Sequence, residues 1–347
     1  MKISVRTRGE SFEFDCAAGE KILHAGLRAG IGLPYECGSG TCGTCKAEVG
    51  KGEIDEGWLD APGRAYVKSE KSEFLMCQAT ALGDCTIGVR ANVARLAGDI
   101  PVPEAMTGRI TKVEGLTHDV CRVAITIDGP VSFNAGQFML VGTAAVEGRR
   151  AYSMADYRTS TDRLAFVIKQ VPEGGFTDWL FAEDRTGAEL SLFGPLGVAT
   201  YAPSLPNDLV CIAGGSGLAP MLSILDHAIE AGHFEAYEGD LFFGVRTERD
   251  IYLLDHLKAY AGRDPERLRV TVVLSDAAPT AELVAAHPGL RFDEGFVHEA
   301  AMRRMTGRWD GVMAYLAGPP PMVDATLRAL VMEARLTPSA IRYDKFS

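Results

Sequence analysis

The sequence predicts a multidomain chain in which a small α+β unit, a Greek-key β-barrel and a doubly wound α/β sheet follow one another. Three observations carry this expectation. The chain has 347 residues, more than one apolar core serves, so two or three domains are needed. Its middle third repeats short alternating strand patterns separated by turns. From Asp208 onward the pattern becomes strand, helix, strand, helix.

The first unit, residues 1–95, opens with two alternating strands around a turn at Gly9. A helix over 21–29 follows, offering Ile22, Ala25, Leu27 and Ala29 to a core, then a strand over 46–49 and a closing strand over 85–89. Pro101 and Pro103 mark a linker over 99–104, because each removes a backbone donor and favours extended chain. The second unit, residues 103–204, carries strand patterns over 108–113, 120–127, 137–141, 150–154, 164–171 and 189–192, with one helix near 177–182. Many short strands with a single helix predict a small barrel. The third unit, residues 207–347, has short apolar strands over 209–213, 241–245, 268–274 and 313–317 alternating with longer helices, the pattern of a parallel sheet covered on both faces.

No apolar run approaches the eighteen or so residues of a membrane span. The start, Met1 to Arg8, alternates like a strand and lacks the apolar centre of a signal peptide, so a cytosolic location is expected. The formal net charge of -11 argues against nucleic acid or anionic membrane as a partner, since both call for basic patches. Residues 1–98 hold 12 Lys and Arg against 13 Asp and Glu, so the acidity lies in the later units. The local run Glu53, Asp55, Glu56 and Asp60 reads as a solvated loop.

Cys37, Cys42 and Cys45 stand at C-x4-C-x2-C, with Cys77 as a distant fourth, which is the ligand run of a plant-type 2Fe-2S cluster. Glycines at 38, 40 and 43 let the backbone wrap a compact cluster and leave N–H groups free to point at the sulfurs. Cys77 directly follows the apolar run Phe74-Leu75-Met76 and is preferred over Cys85 as the fourth ligand. Cys16, Cys85, Cys121 and Cys211 lie in strand-like apolar segments and read as core thiols.

Further along, Gly214, Gly215, Ser216, Gly217 and Pro220 form G-x-G-x-x-P between a strand and a helix. Free N–H groups and the helix dipole there suit a pyrophosphate, and Pro220 fits the first helical turn. Arg149-Arg150-Ala151-Tyr152-Ser153 offers cations, an aromatic face and a hydroxyl at the end of a barrel strand. Gly174, Gly175, Phe176 and Thr177 open a second helix, with Thr177 as a capping hydroxyl.

The order and wording of these motifs resemble the NADH-dependent reductase components of bacterial multicomponent oxygenases, within the ferredoxin-NADP reductase superfamily. The likeness covers essentially the whole chain. It includes the ferredoxin cysteines, R-x-Y-S at Arg150, Tyr152 and Ser153, Gly174 to Thr177, Gly194-Pro195-Leu196-Gly197, and Gly214 to Pro220. It ends with Gly318-Pro319-Pro320-Pro321-Met322 and Tyr343-Asp344-Lys345-Phe346. The resemblance implies a β-grasp 2Fe-2S ferredoxin domain, an FAD-binding Greek-key barrel and an NAD-binding α/β domain. It places Arg150 and Tyr152 at the flavin phosphate and ribityl chain, Ser153 near flavin N5, and Gly174 to Thr177 as the phosphate loop. Phe346 would cover the isoalloxazine and gate hydride transfer, while Gly318 and Pro319 would place the nicotinamide. FAD rather than FMN is likewise implied by the resemblance alone.

One position departs from the pattern: many relatives have cysteine before Gly-Pro-Pro, and this chain has Ala317. Coenzyme choice is expected at the turn 244–250, where Glu248 or Asp250 suits a free ribose 2′-hydroxyl while Arg246 and Arg249 suit a 2′-phosphate. The implied activity passes electrons from NADH through FAD and the cluster to a partner oxygenase. The wording of 34–40 and 53–62 is most similar to reductases of soluble diiron hydroxylases, with reductases of Rieske dioxygenases as the alternative. A redox-sensing interaction protein is the rival of another class.

Overall fold

Period-two burial builds the first sheet of the computed structural model, which describes residues 1–98 and 100–346. β1 (Lys2–Arg6) and β2 (Ser11–Asp15) pair antiparallel and turn Ile3, Val5, Phe12 and Phe14 inward. α1 (Ile22–Arg28) lays Ile22, Leu23 and Leu27 on that apolar face. β3 (Lys46–Lys51), β4 (Ile54–Asp55), β5 (Glu73–Leu75), β6 (Thr80–Ala81) and β7 (Cys85–Gly88) follow. The main sheet runs β2-β1-β7-β3-β5, with β1 and β7 parallel, which is the β-grasp arrangement. β4 and β6 pair separately, and at two residues each they are too short for any alternation to show in sequence. Arg95 bridges to Ile31 and the Leu96 N–H bonds to the Gly30 carbonyl, so the chain clings to this unit to residue 96. Of the expected linker, Asp99 lies outside the described residues.

The barrel comprises β8 (Glu104–Gly115), β9 (Val120–Val131), β10 (Phe138–Thr143), β11 (Val146–Ser153), β12 (Thr161–Lys169) and β13 (Glu189–Leu196), with α2 (Gly175–Ala182) between the last two strands. All pairings are antiparallel in the order β11-β10-β13-β8-β9-β12, and a Met154–Phe166 bridge ties the open edges. β13 returns to lie between β10 and β8, the crossing that makes a Greek key.

The third sheet is wholly parallel: β14 (Asp208–Gly214), β15 (Gly239–Val245), β16 (Leu268–Leu274), β17 (Arg291–Glu294), β18 (Val312–Gly318) and β19 (Ile341–Lys345), ordered β17-β16-β15-β14-β18-β19. α3 (Leu218–Glu230), α4 (Leu254–Arg263) and the short α5 (Ala281–Ala286) follow β14, β15 and β16. α6 (Val297–Arg304) and α7 (Pro320–Met332) follow β17 and β18. α3 and α4 share a core on one face, α6 and α7 on the other. Four strands were expected and six are found. β17 and β19 are edge strands rich in charge, so neither reads as an apolar run. No helix among the described residues is long and apolar enough to cross a membrane.

Apolar contact joins the three units. Phe138, Leu140, Phe193 and Leu196 of the barrel belong to one cluster with the core of the first unit, and Val120, Ala135 and Val167 pack with α3. His24 stacks on Phe193 with ring centroids 4.1 Å apart, and burial pushes its imidazole down to about 3, with Arg149 adding to the effect. A neutral ring at this seam costs no charge desolvation.

Candidate cofactor site

Cys37, Cys42 and Cys45 lie in the loop between α1 and β3, and Cys77 follows β5. The Met76 N–H donates to the Cys45 carbonyl at 3.0 Å, which sets the two segments side by side. Gly38, Gly40 and Gly43 all take positive φ. A Cβ on Gly40 would meet the Gln78 amide at 2.9 Å, and one on Gly43 the Tyr66 ring at 2.7 Å. The freed amides point where expected. Ser39 and Cys42 N–H groups donate to the Cys37 sulfur at 3.4 Å, and those of Cys37 and Thr44 to the Cys42 sulfur at 3.5 Å. The Gln78 side chain donates to the Cys77 sulfur at 3.4 Å.

The four thiols form two touching pairs. Hydrogen bonding within each pair pushes Cys37 and Cys77 down and Cys42 and Cys45 up, and Cys37 acts electrostatically on both members of the other pair. Cys85 lies instead on β7 opposite Ile3, with Cys16 as its neighbour. Four clustered thiols with donors aimed at sulfur fit a group that requires four thiolates. The other four cysteines are buried in the cores, as expected.

The loop containing Cys37, Ser39 and Thr41 forms one wall of a cavity of about 950 Å³ between the three units. β11 supplies the adjoining wall through Arg150, Tyr152 and Ser153. Tyr152 packs on Phe176 with centroids 5.5 Å apart, and burial raises its phenol, so the hydroxyl remains a neutral donor. Gly174, Phe176 and Thr177 continue the wall at the start of α2. Thr177 does not cap that helix. Its hydroxyl accepts from the Val171 N–H at 3.1 Å and reaches the Val171 and Gly174 carbonyls, stitching the preceding loop down and leaving α2 without a side-chain cap.

At the opposite wall, β14 and β18 are neighbours whose following helices, α3 and α7, leave on opposite faces. This makes the switch-point crevice in which open α/β sheets bind ligands. Gly214, Gly215, Ser216 and Pro319 line it. Gly215 has φ +54° with nothing within 4 Å of a built Cβ, so open space stands where a side chain would intrude. A Cβ on Gly217 would come within 2.0 Å of the Ala317 carbonyl oxygen, and one on Gly318 within 2.9 Å of the Gly214 oxygen. Gly175, Gly217, Pro220 and Gly318 are set back from the wall and shape it. The loop makes a short 3-10 turn, so α3 begins at Leu218 with Pro220 in its first turn. This cradle of small residues beside a 13-residue helix fits a dinucleotide.

β19 brings Phe346 to the cavity, where its N–H donates to the Gly318 carbonyl at 2.9 Å. Asp344 and Lys345 line it too. Burial, reinforced by the Glu36 carboxylate, pushes the Asp344 carboxyl up to about 7. In the turn after β15, Glu248 is committed elsewhere, accepting from the Thr280 N–H at 2.7 Å. Asp250 spends one oxygen on the Thr247 N–H and hydroxyl, and Arg246 is on the cavity wall. Sequence reasoning missed Asp344 as a half-buried acid on the cavity wall, Phe296 as another lining residue, and Trp58, whose ring faces Arg150 at 5.5 Å. Asp344 lies in the terminal Tyr343 to Phe346 motif, but that motif gives no sign of its carboxyl's surroundings, and Phe296 and Trp58 carry no local signal of what they face.

Three family models match in series: a 2Fe-2S iron-sulfur cluster binding domain over 5–82, an oxidoreductase FAD-binding domain over 107–201 and an oxidoreductase NAD-binding domain over 211–328. The chain is 36% identical to a ferredoxin–NAD(P)(+) reductase of Metapseudomonas resinovorans, covering 91% of this chain and 92% of that one. It is 34% identical to the ferredoxin–NAD(+) reductase component of the alkene monooxygenase system of Xanthobacter autotrophicus, over 96% and 97%. Among solved structures, the ferredoxin reductase in carbazole 1,9a-dioxygenase superposes with a TM-score of 0.84 at 32% identity, covering 100% of this chain and 99% of that chain.

Proposed function

The chain belongs to the ferredoxin reductase components of multicomponent oxygenase systems, and from that premise we propose how its residues divide the labour of carrying electrons from NADH to an oxygenase. When bound, FAD supplies two-electron acceptance from a hydride and the 2Fe-2S cluster supplies one-electron transfer, while the protein orients and tunes. Cys37, Cys42, Cys45 and Cys77 hold the iron, and the amides aimed at their sulfurs offset negative charge. Arg150 pairs with the flavin phosphate, Tyr152 hydrogen-bonds the ribityl chain, and the amides opening α2 complete the phosphate site. Ser153 donates a hydrogen bond near N5. Gly214 to Pro220 would receive the coenzyme pyrophosphate, Gly318 with Pro319 would place the nicotinamide, and Phe346 would serve as the aromatic cover of the flavin.

The observation that carries this reading is a single cavity whose wall includes Cys37, Ser153, Gly215 and Phe346. Hydride acceptance and electron exit therefore share one enclosure. Phe346→Ala should change the NADH dissociation constant or the hydride rate by roughly tenfold, since the aromatic cover no longer competes with nicotinamide. Unaltered stopped-flow kinetics would remove Phe346 from the gate.

For the partner we favour a soluble diiron hydroxylase on the wording of 34–40 and 53–62, and likeness to the alkene monooxygenase reductase component supports a monooxygenase partner. The likeness to the ferredoxin reductase in carbazole 1,9a-dioxygenase supports a dioxygenase partner, of which the Rieske type is the alternative. Reconstitution with purified hydroxylases of both kinds decides. NADH-dependent product with the diiron type is expected, and product only with the Rieske type would reverse the assignment. Eight cysteines without a disulfide suit a cytosolic setting.

A further inference from the structure

Trp58 belongs to the ferredoxin unit, yet its indole faces the guanidinium of Arg150 on the barrel, with Cζ 5.5 Å from the ring centroid. That is within cation–π range. The same guanidinium donates to the Arg149 carbonyl at 3.2 Å, and among the described residues no carboxylate pairs with it, so its charge is left for an anion. We infer that Trp58 is a positioning residue for the flavin: it holds Arg150 in the conformation that meets the flavin phosphate, so the ferredoxin unit takes part in retaining a cofactor bound to its neighbour. This rests on Arg150 being a phosphate ligand.

Trp58 is itself firmly placed. Gly57 has φ +67°, and a Cβ there would come within 2.3 Å of the Gln78 carbonyl oxygen, which also accepts from the Lys21 ammonium at 2.5 Å. The Gln78 side chain bonds the Cys77 sulfur. The backbone just before Trp58 is thus packed against the residue beside the fourth cysteine, while the half-buried indole packs on the ferredoxin core and faces Arg150. An arginine fixed before its anion arrives loses less rotamer freedom on binding, and the gain appears as affinity.

The test is FAD affinity, read by flavin fluorescence on the full chain carrying its cluster. Trp58→Leu keeps an apolar, though smaller, side chain against the ferredoxin core but has no ring, and it should weaken FAD binding roughly fivefold to tenfold. Trp58→Phe, which restores a ring, should stay within about twofold of the native chain. Visible cluster absorption reports that both variants fold. In an Arg150→Ala background, itself weaker for FAD, Trp58→Leu should cost nothing more. Native affinity in Trp58→Leu alongside weakened binding in Arg150→Ala would overturn the inference and leave the phosphate role intact. Unchanged affinity in Arg150→Ala would overturn that role and the inference with it.

Discussion

Cys77→Ala should lower NADH-dependent cytochrome c reduction at least about 100-fold while reduction of ferricyanide, which draws on the flavin directly, stays near native. The reason is positional. Cys77 touches Cys45, feels Cys37, and accepts from the Gln78 amide, so among the described residues it is the only distant thiol placed to complete the set. Cys85→Ala is the control: its thiol lies on β7 in the core, and the variant should keep the cluster's absorption. Loss of the cluster in Cys85→Ala with retention in Cys77→Ala would reverse the ligand assignment.

Gly217→Ala is expected to raise the KM for NADH at least about tenfold and to cost about 3 kcal/mol of stability, because overpacking here acts on backbone. The added methyl would sit 2.0 Å from the Ala317 oxygen and 2.8 Å from the Gly318 nitrogen. Neither can retreat, since Ala317 is held between Ala213 of β14 and Asp344 of β19. The loop must move instead, and the cradle moves with it. Gly215→Ala separates the two effects. Its Cβ meets nothing, so only the left-handed φ is strained, at about 1 kcal/mol, while the methyl projects into open space where the coenzyme is expected. A native KM in Gly217→Ala would show that the loop does not bind the coenzyme.

The parts of this site readable from sequence are those in which chemistry dictates both residue type and spacing. A thiolate loop needs its cysteines at fixed intervals and glycines between them, and a pyrophosphate turn needs glycine at φ values and contacts that no side chain allows. Cys37 to Cys45 and Gly214 to Pro220 were legible for that reason. β17 and β19 were not: an edge strand buries one face only in part, and sequences such as Ile341–Lys345 carry charge where alternation would be sought. Thr177 carries a capping residue type, but its hydroxyl was taken by Val171, a neighbour that only the folded loop supplies. Glu248 suits a ribose by chemistry and is drawn away by the Thr280 N–H, 32 residues on. Trp58 and Asp344 depend on one unit meeting another, and no local pattern encodes a partner so far along the chain.

Anaerobic mixing of the intact chain with NADH, followed at the flavin and cluster absorption bands, tests the central claim most directly. The shared cavity predicts that flavin absorption falls first and cluster absorption follows, with the second phase absent in Cys77→Ala. Cluster bleaching that precedes the flavin, or that survives without Cys77, would contradict it.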